Sequence, residues 1–121
     1  MKKLLFIFLL SGCAVPHYNN IREVNAAIRP YDIKAVEWFF SNQISYWRDY
    51  DDNDENKPSN KTIHDRLGDC EDFAILAMDI VNTWPGCEAR IMRRGERHVV
   101  ALVSCDNGIY GYFEEGSFKK L

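Results

Sequence analysis

The hydrophobic period of the sequence changes at Pro85-Gly86, and this change constrains the fold more than any other feature. Before it, apolar residues recur at the three- and four-residue spacing of helices that bury one face. After it come three strand-like stretches separated by glycine-containing turns: EARIMRR, HVVALVS and GIYGYFEE. The middle one is apolar on both faces, as is typical of a central strand. We therefore predict an α+β fold, with the helices first and a small antiparallel sheet covering the last of them.

Shorter helices are predicted before the last one. NNIREVNAAIR has helical spacing and is ended by Pro30. Asp32 is a predicted N-cap for a second helix, whose apolar positions continue through residues 33–47. The stretch DYDDNDENKPSNK predicts a solvated acidic loop. Thr62 and Asp65 have the spacing of a capping box and predict a short helical turn.

The stretch LGDCEDFAILAMDIV predicts the helix that the sheet covers. Asp69 is a suitable N-cap, and Glu71 and Asp72 suit the first turn because carboxylates there face the positive end of the helix dipole. Cys70 lies on the predicted buried stripe, so its sulfur is expected to point inward, at the end where backbone N–H groups are free. The helix is expected to stop at Pro85-Gly86. The rest of the stripe consists of Phe73, Ala77, Ile80 and Trp84.

The N-terminus, MKKLLFIFLLSGC, has two lysines and an apolar run that is too short to span a bilayer. This pattern indicates a secretory signal at residues 1–12. LLSGC also resembles a bacterial lipobox, which implies that Cys13 carries lipid and that residues 13–18 are a tether before a domain at residues 19–121. Ala14 after the cysteine favours outer-membrane sorting in such lipoproteins. The expected location is the bacterial cell envelope, on the outer membrane and facing the periplasm; the alternative is an uncleaved anchor or a chance apolar start.

The chain has 4 cysteines, and with Cys13 assigned to lipid an odd number faces an oxidising compartment. If a hairpin turns around GER, Cys87 and Cys105 lie opposite each other within disulfide reach. A tighter turn at Gly95-Glu96 would shift this register by one residue. The hairpin pairing leaves Cys70 as the free thiol. The alternative is that all of these thiols are reduced and buried.

A cysteine at a helix N-terminus, followed by His98 at the start of a strand, is a pattern that suits a thiol nucleophile with a base. The helix dipole, free amides and a neighbouring imidazolium all stabilise a thiolate, which would offset the field of the nearby acids. Amides of the first turn would form an oxyanion hole. The alternative is a buried core thiol, Cys70, and an unrelated histidine at a strand end.

GDCEDFA on the helix and RHVVALV on the strand resemble the bacterial transglutaminase-like cysteine peptidases. The likeness extends over about residues 47–118, with Phe73 where that group has tyrosine. It implies a papain/transglutaminase-like core, a Cys-His-Asp triad and chemistry on amide bonds, either hydrolysis or transfer. The aspartate is missing here. A hairpin turning at DNG would instead bring Glu114 or Glu115 towards His98, as a triad glutamate or as an exposed surface acid.

The resemblance implies further candidates. Some relatives bind calcium through acids flanking the nucleophile, which correspond to Asp69 and Asp72; capping is the simpler role, and no cofactor is otherwise expected. Tyr46 and Trp47 would line a substrate groove or pack in the core. The expected partner is a peptide or protein substrate in the cell envelope, and the protein itself is expected to be a monomer. The net charge of -3 gives no reason to expect nucleic acid. The alternative function is an inactive lipoprotein that binds an envelope partner.

Overall fold

A computed structural model describes residues 17–47, 57–95 and 98–121. In these ranges the chain has an α+β fold with four helices and six strands. The predicted signal peptide, Cys13 and most of the predicted tether lie outside the described residues, as does most of the acidic loop. The elements run in the order α1 (Ile21–Ala27), α2 (Ile33–Gln43), β1 (Ser45–Tyr46), α3 (Ser59–Asp65), β2 (Leu67–Gly68), α4 (Cys70–Val81), β3 (Cys87–Arg94), β4 (His98–Cys105), β5 (Tyr110–Glu114) and β6 (Ser117–Lys120).

The strands β3, β4, β5 and β6 form one antiparallel sheet in chain order, so the apolar β4 is an interior strand as predicted. Cys87 pairs with Cys105 and Arg94 pairs with His98, which puts the turn around GER. The Cys87–Cys105 disulfide is present, as predicted. The strand β6 was not predicted: GIYGYFEE ends as a strand at Glu114, and the chain turns back at Gly116, whose φ is +88°.

The helix α4 packs against β3 and β4 and supplies the centre of the core. The predicted stripe is buried, although α4 ends at Val81 and a turn carries the chain on to Trp84. Burying one large apolar side chain contributes about 1.5–3 kcal/mol. Tyr18, at the end of the predicted tether, already packs on this core against Phe39, with ring centroids 6.1 Å apart. The remaining core includes Val36, Phe40, Leu76, Val99, Ala101, Val103 and Phe113.

The second predicted helix is shorter than expected. It ends at Gln43, because Ser45–Tyr46 leaves the helix to pair in parallel with Leu67–Gly68. The backbone N–H of Trp47 donates to the Gly68 carbonyl at 2.8 Å, which extends this pairing. Trp47 is 57% exposed and so is not part of the core.

The capping box predicted at Thr62 and Asp65 is wrong. The helix α3 begins at Ser59 after Pro58, whose fixed φ and missing N–H suit the start of a helix. Thr62 therefore lies inside α3 and is fully buried, with no hydrogen-bond partner for its hydroxyl among the described residues. Asp65 is at the end of α3, where it forms salt bridges with Lys57 and Lys61.

Candidate functional site

The N-terminus of α4 is closed by a reciprocal pair of carboxylates. The Asp69 side chain accepts from the Asp72 N–H at 3.0 Å, and the Asp72 side chain accepts from the Asp69 N–H at 3.2 Å. This capping box confirms the predicted N-cap and contributes about 1 kcal/mol. Asp72 is 1% exposed and also accepts from the Lys57 N–H at 3.0 Å. Burial raises the pKa of the Asp72 carboxyl, although these amide hydrogen bonds oppose the shift.

The same contacts bear on the calcium hypothesis. The Asp69 and Asp72 oxygens are directed at backbone amides, whereas calcium prefers six to eight oxygen ligands around it. Within the described ranges, no three His, Cys, Asp or Glu side chains cluster in a way that would hold a metal ion. The hydrogen bonds of the capping box give the two aspartates a structural role in starting α4.

Cys70 is the first residue of α4, and its side chain is half-buried and reduced. Burial raises the pKa of the thiol above its ordinary value. Hydrogen bonds from the Val99 and Glu71 backbone amides oppose this rise, and the charges of Asp69 and Glu71 reinforce it. The pKa of the Cys70 thiol is thus raised, whereas a position at a helix N-terminus was expected to lower it. The resting form at neutral pH is therefore the thiol.

His98 begins β4 and contacts one carboxylate. Its Nε2 lies 2.5 Å from Oε2 of Glu114, and both side chains are about 30% exposed. Of the two predicted acids, Glu114 is thus the partner of the imidazole. Glu115 follows it in the turn, with a φ of +51°. Among the described residues, no hydrogen bond is made by the ring's other nitrogen, Nδ1.

The structure brings Cys70 next to the His98 strand rather than onto the ring itself. The pairing of β4 with β5 covers Ala101 to Ser104, so Val99 lies beyond it and its N–H meets the Cys70 thiol. Side chains alternate along a strand, and Val99 is on the face that packs on α4. His98 and Glu114 are therefore on the other face. The thiol thus meets the start of β4 from the α4 side, whereas the His98 side chain leaves it on the opposite side.

A cavity of about 260 Å³ is lined by neighbours of these residues along the chain, and not by Cys70, His98 or Glu114 themselves. Phe73, one turn after Cys70, and Glu115, next to Glu114, both line it. Tyr46 also lines it and packs edge-on against Phe73, with ring centroids 5.3 Å apart, while it also packs against the core. Glu37 in α2 also lines the cavity and was not predicted, because an isolated acid on a helix surface has no distinctive spacing.

No protein-family model, no curated protein and no solved structure matches this chain. The resemblance to transglutaminase-like peptidases therefore rests on two short motifs. None of the described helices is both long and apolar enough to cross a membrane.

Proposed function

We propose that this chain is a transglutaminase-like cysteine peptidase or amidohydrolase that cleaves amide bonds. Cys70 is the nucleophile, His98 the general base, and Glu114 the residue that positions His98. The observation that carries the proposal is the 2.5 Å contact between His98 and Glu114. It lies at the end of the strand whose next amide, that of Val99, contacts the Cys70 thiol.

The raised pKa of Cys70 defines how the reaction starts. Because the resting thiol is protonated, His98 Nδ1 must accept its proton as the sulfur attacks the carbonyl carbon. Glu114 holds Nε2 and stabilises the imidazolium that forms. The imidazolium then protonates the leaving amine, and water hydrolyses the thioester. This proton transfer requires the His98 ring to turn across the end of β4 towards Cys70, because the two side chains start from opposite faces of that strand.

The proposed location follows from the N-terminal sequence and the cysteines. MKKLLFIFLLSGC indicates export and lipidation at Cys13, and disulfides such as Cys87–Cys105 persist in oxidising compartments. The proposed substrate is accordingly a peptide or protein of the bacterial envelope, reached from an outer-membrane anchor.

A second candidate is a lipoprotein that keeps this fold without activity and binds an envelope partner. Two observations favour it: the raised pKa of the Cys70 thiol, and the position of His98 on the sheet face opposite α4. In this case the His98–Glu114 contact would only stabilise the end of the sheet where β4 begins and β5 ends.

Thiol labelling separates the two candidates. In a Cys13→Ser variant with the disulfide intact, Cys70 is the one reduced thiol, and its reaction with iodoacetamide can be followed by mass spectrometry. For an enzyme, His98→Ala slows labelling at pH 7 and abolishes release of amine from envelope peptides, as Cys70→Ala also does. For a binding protein, labelling occurs only at alkaline pH, is unaffected by His98→Ala, and no amine is released.

A further inference from the structure

The cavity beside the site has an aromatic floor. Phe40 and Phe73 stack there with ring centroids 5.0 Å apart, and Tyr46 packs edge-on against Phe73. Ile44 is also part of the lining. A floor of this kind attracts the methylene stem of a long side chain, and its ring faces attract a cation.

Two carboxylates, Glu37 and Glu115, are also part of the lining. Oε2 of Glu37 accepts from the Phe118 N–H at 2.9 Å, which fixes this side chain between α2 and β6. Gly116 presses the turn against the floor, since a Cβ at this position would come within 2.6 Å of the Phe40 Cβ. This contact holds the neighbouring Glu115 beside the cavity.

Neither carboxylate is neutralised. Among the described residues, the salt bridges involve other acids, and neither Glu37 nor Glu115 has a cationic partner. Two unpaired negative charges around an apolar floor complement a ligand with an apolar stem and a positive end. The volume of about 260 Å³ is below the range of about 300–1,000 Å³ that is usual for whole small-molecule ligands, so one side chain is the fitting occupant.

From these features we infer that the cavity is a subsite for a lysine-like side chain of the substrate, next to the amide that Cys70 attacks. This inference rests on the proposed function for its place beside the cleaved bond. Phe73 is one helical turn from Cys70, a rise of about 4.5 Å, and Glu115 adjoins Glu114. The stem would lie on Phe40 and Phe73, and the ammonium would face the two carboxylates.

Binding can be measured apart from catalysis in a full-length Cys70→Ala variant. The probes are Nα-acetyl-lysine methylamide and its uncharged analogue with norleucine, titrated to 20 mM and followed by NMR of backbone amides. We expect the lysine probe to shift the Gly116 and Ser117 resonances and to bind about fivefold to tenfold more tightly than the norleucine probe. High salt should reduce this preference.

The double variant Glu37→Gln/Glu115→Gln tests the charges. Glutamine keeps an oxygen to accept from the Phe118 N–H, so the fold is retained and the lysine preference should vanish. Glu88→Gln, at an exposed position on β3, is the matched control and should keep it. The inference is overturned if lysine does not bind, if norleucine binds equally well, or if the double variant keeps the preference.

Cleavage assays keep this inference distinct from the proposed function. With the active chain, peptides that differ only in lysine or norleucine beside the scissile bond are compared. Cys70-dependent cleavage without a lysine preference would overturn the subsite and leave the enzyme standing. Selective lysine binding without cleavage would overturn the enzyme and leave a cation-binding pocket.

Discussion

Two carboxylates of the candidate site, Asp72 and Glu114, have opposite surroundings. Asp72 is 1% exposed and accepts from the Lys57 and Asp69 backbone amides. Glu114 is about 30% exposed and contacts one imidazole, that of His98. A carboxylate that accepts hydrogen bonds from several backbone amides stabilises the local fold. A carboxylate that contacts an imidazole can instead affect how that ring takes up and releases a proton. The comparison predicts that loss of Asp72 affects stability and loss of Glu114 affects activity.

The largest expected effect is that of Glu114→Gln on amide hydrolysis. The glutamine keeps the shape of the side chain but cannot stabilise an imidazolium, so kcat/KM should fall about 10²–10⁴-fold. The melting temperature should change little, because the pair is partly exposed. Hydrolysis kinetics and thermal unfolding on the same preparation measure both effects.

Glu88→Gln is the control for this prediction, since it removes an exposed carboxylate from β3. Its kinetics should match those of the unmodified chain. If Glu114→Gln hydrolyses amides as fast as this control, Glu114 is only a surface acid and has no role in catalysis.

Asp72→Ala should give the next largest effect, a loss of about 2–4 kcal/mol in the free energy of unfolding. It removes the reciprocal half of the capping box and leaves the buried Lys57 N–H without its acceptor. Urea unfolding followed by circular dichroism measures this loss. Asp72→Asn retains an acceptor oxygen and should lose less; equal losses would show that the negative charge, and not the hydrogen bonds, stabilises the fold.

The structural half of the comparison was largely predictable from the sequence. Helical spacing and the Asp69 N-cap predicted α4, and the alternating stretches predicted the sheet and the Cys87–Cys105 pairing, because these depend on local patterns. Local patterns missed the β1–β2 pair and β6, which depend on contacts between distant residues and on the turn at Gly116.

The functional half was predictable only in part. The motifs pointed to Cys70 and His98 and left Glu114 and Glu115 as candidate partners of the imidazole, and the geometry of the turn shows that Glu114 is the one that contacts it. The direction of the thiol pKa could not be predicted, because burial depends on what packs over the helix end.

A smaller effect is expected from Glu71→Gln on the reactivity of Cys70. The Glu71 charge contributes to the raised pKa of the thiol, after burial and Asp69. Removing the charge lowers that pKa, so more thiolate is present at any pH below it. Carbamidomethylation at pH 8 should accelerate about twofold to threefold, and the rate profile should move to lower pH. An unchanged profile would mean that the Glu71 charge does not influence the thiol.

The smallest expected effect is on how stability depends on pH, and it distinguishes Asp72 from a third carboxylate, Asp65. Burial acts to raise the pKa of Asp65, but hydrogen bonds from His64, Lys61 and Lys57 outweigh it and hold the pKa below its ordinary value. Since its folded pKa is lowered, Asp65 contributes stability above the unfolded pKa of about 4, and this stability is lost as the pH falls through the folded value.

The raised pKa of Asp72 has the opposite sign, because protonation favours its folded form as the pH falls. Relative to Asp65→Asn, the unmodified chain should therefore lose stability between pH 5 and pH 2. Relative to Asp72→Asn, it should gain stability as the pH falls from 7 towards the unfolded pKa of about 4, and little more below that. The Asp65 change should be about 0.5 kcal/mol or less, since the Asp65 side chain is 27% exposed, its partner Lys61 is 60% exposed, and solvent screens them. Urea unfolding of the three chains across these pH ranges measures how each difference in the free energy of unfolding changes with pH. If both differences change in the same direction, the pKa values of Asp65 and Asp72 are not shifted in opposite directions.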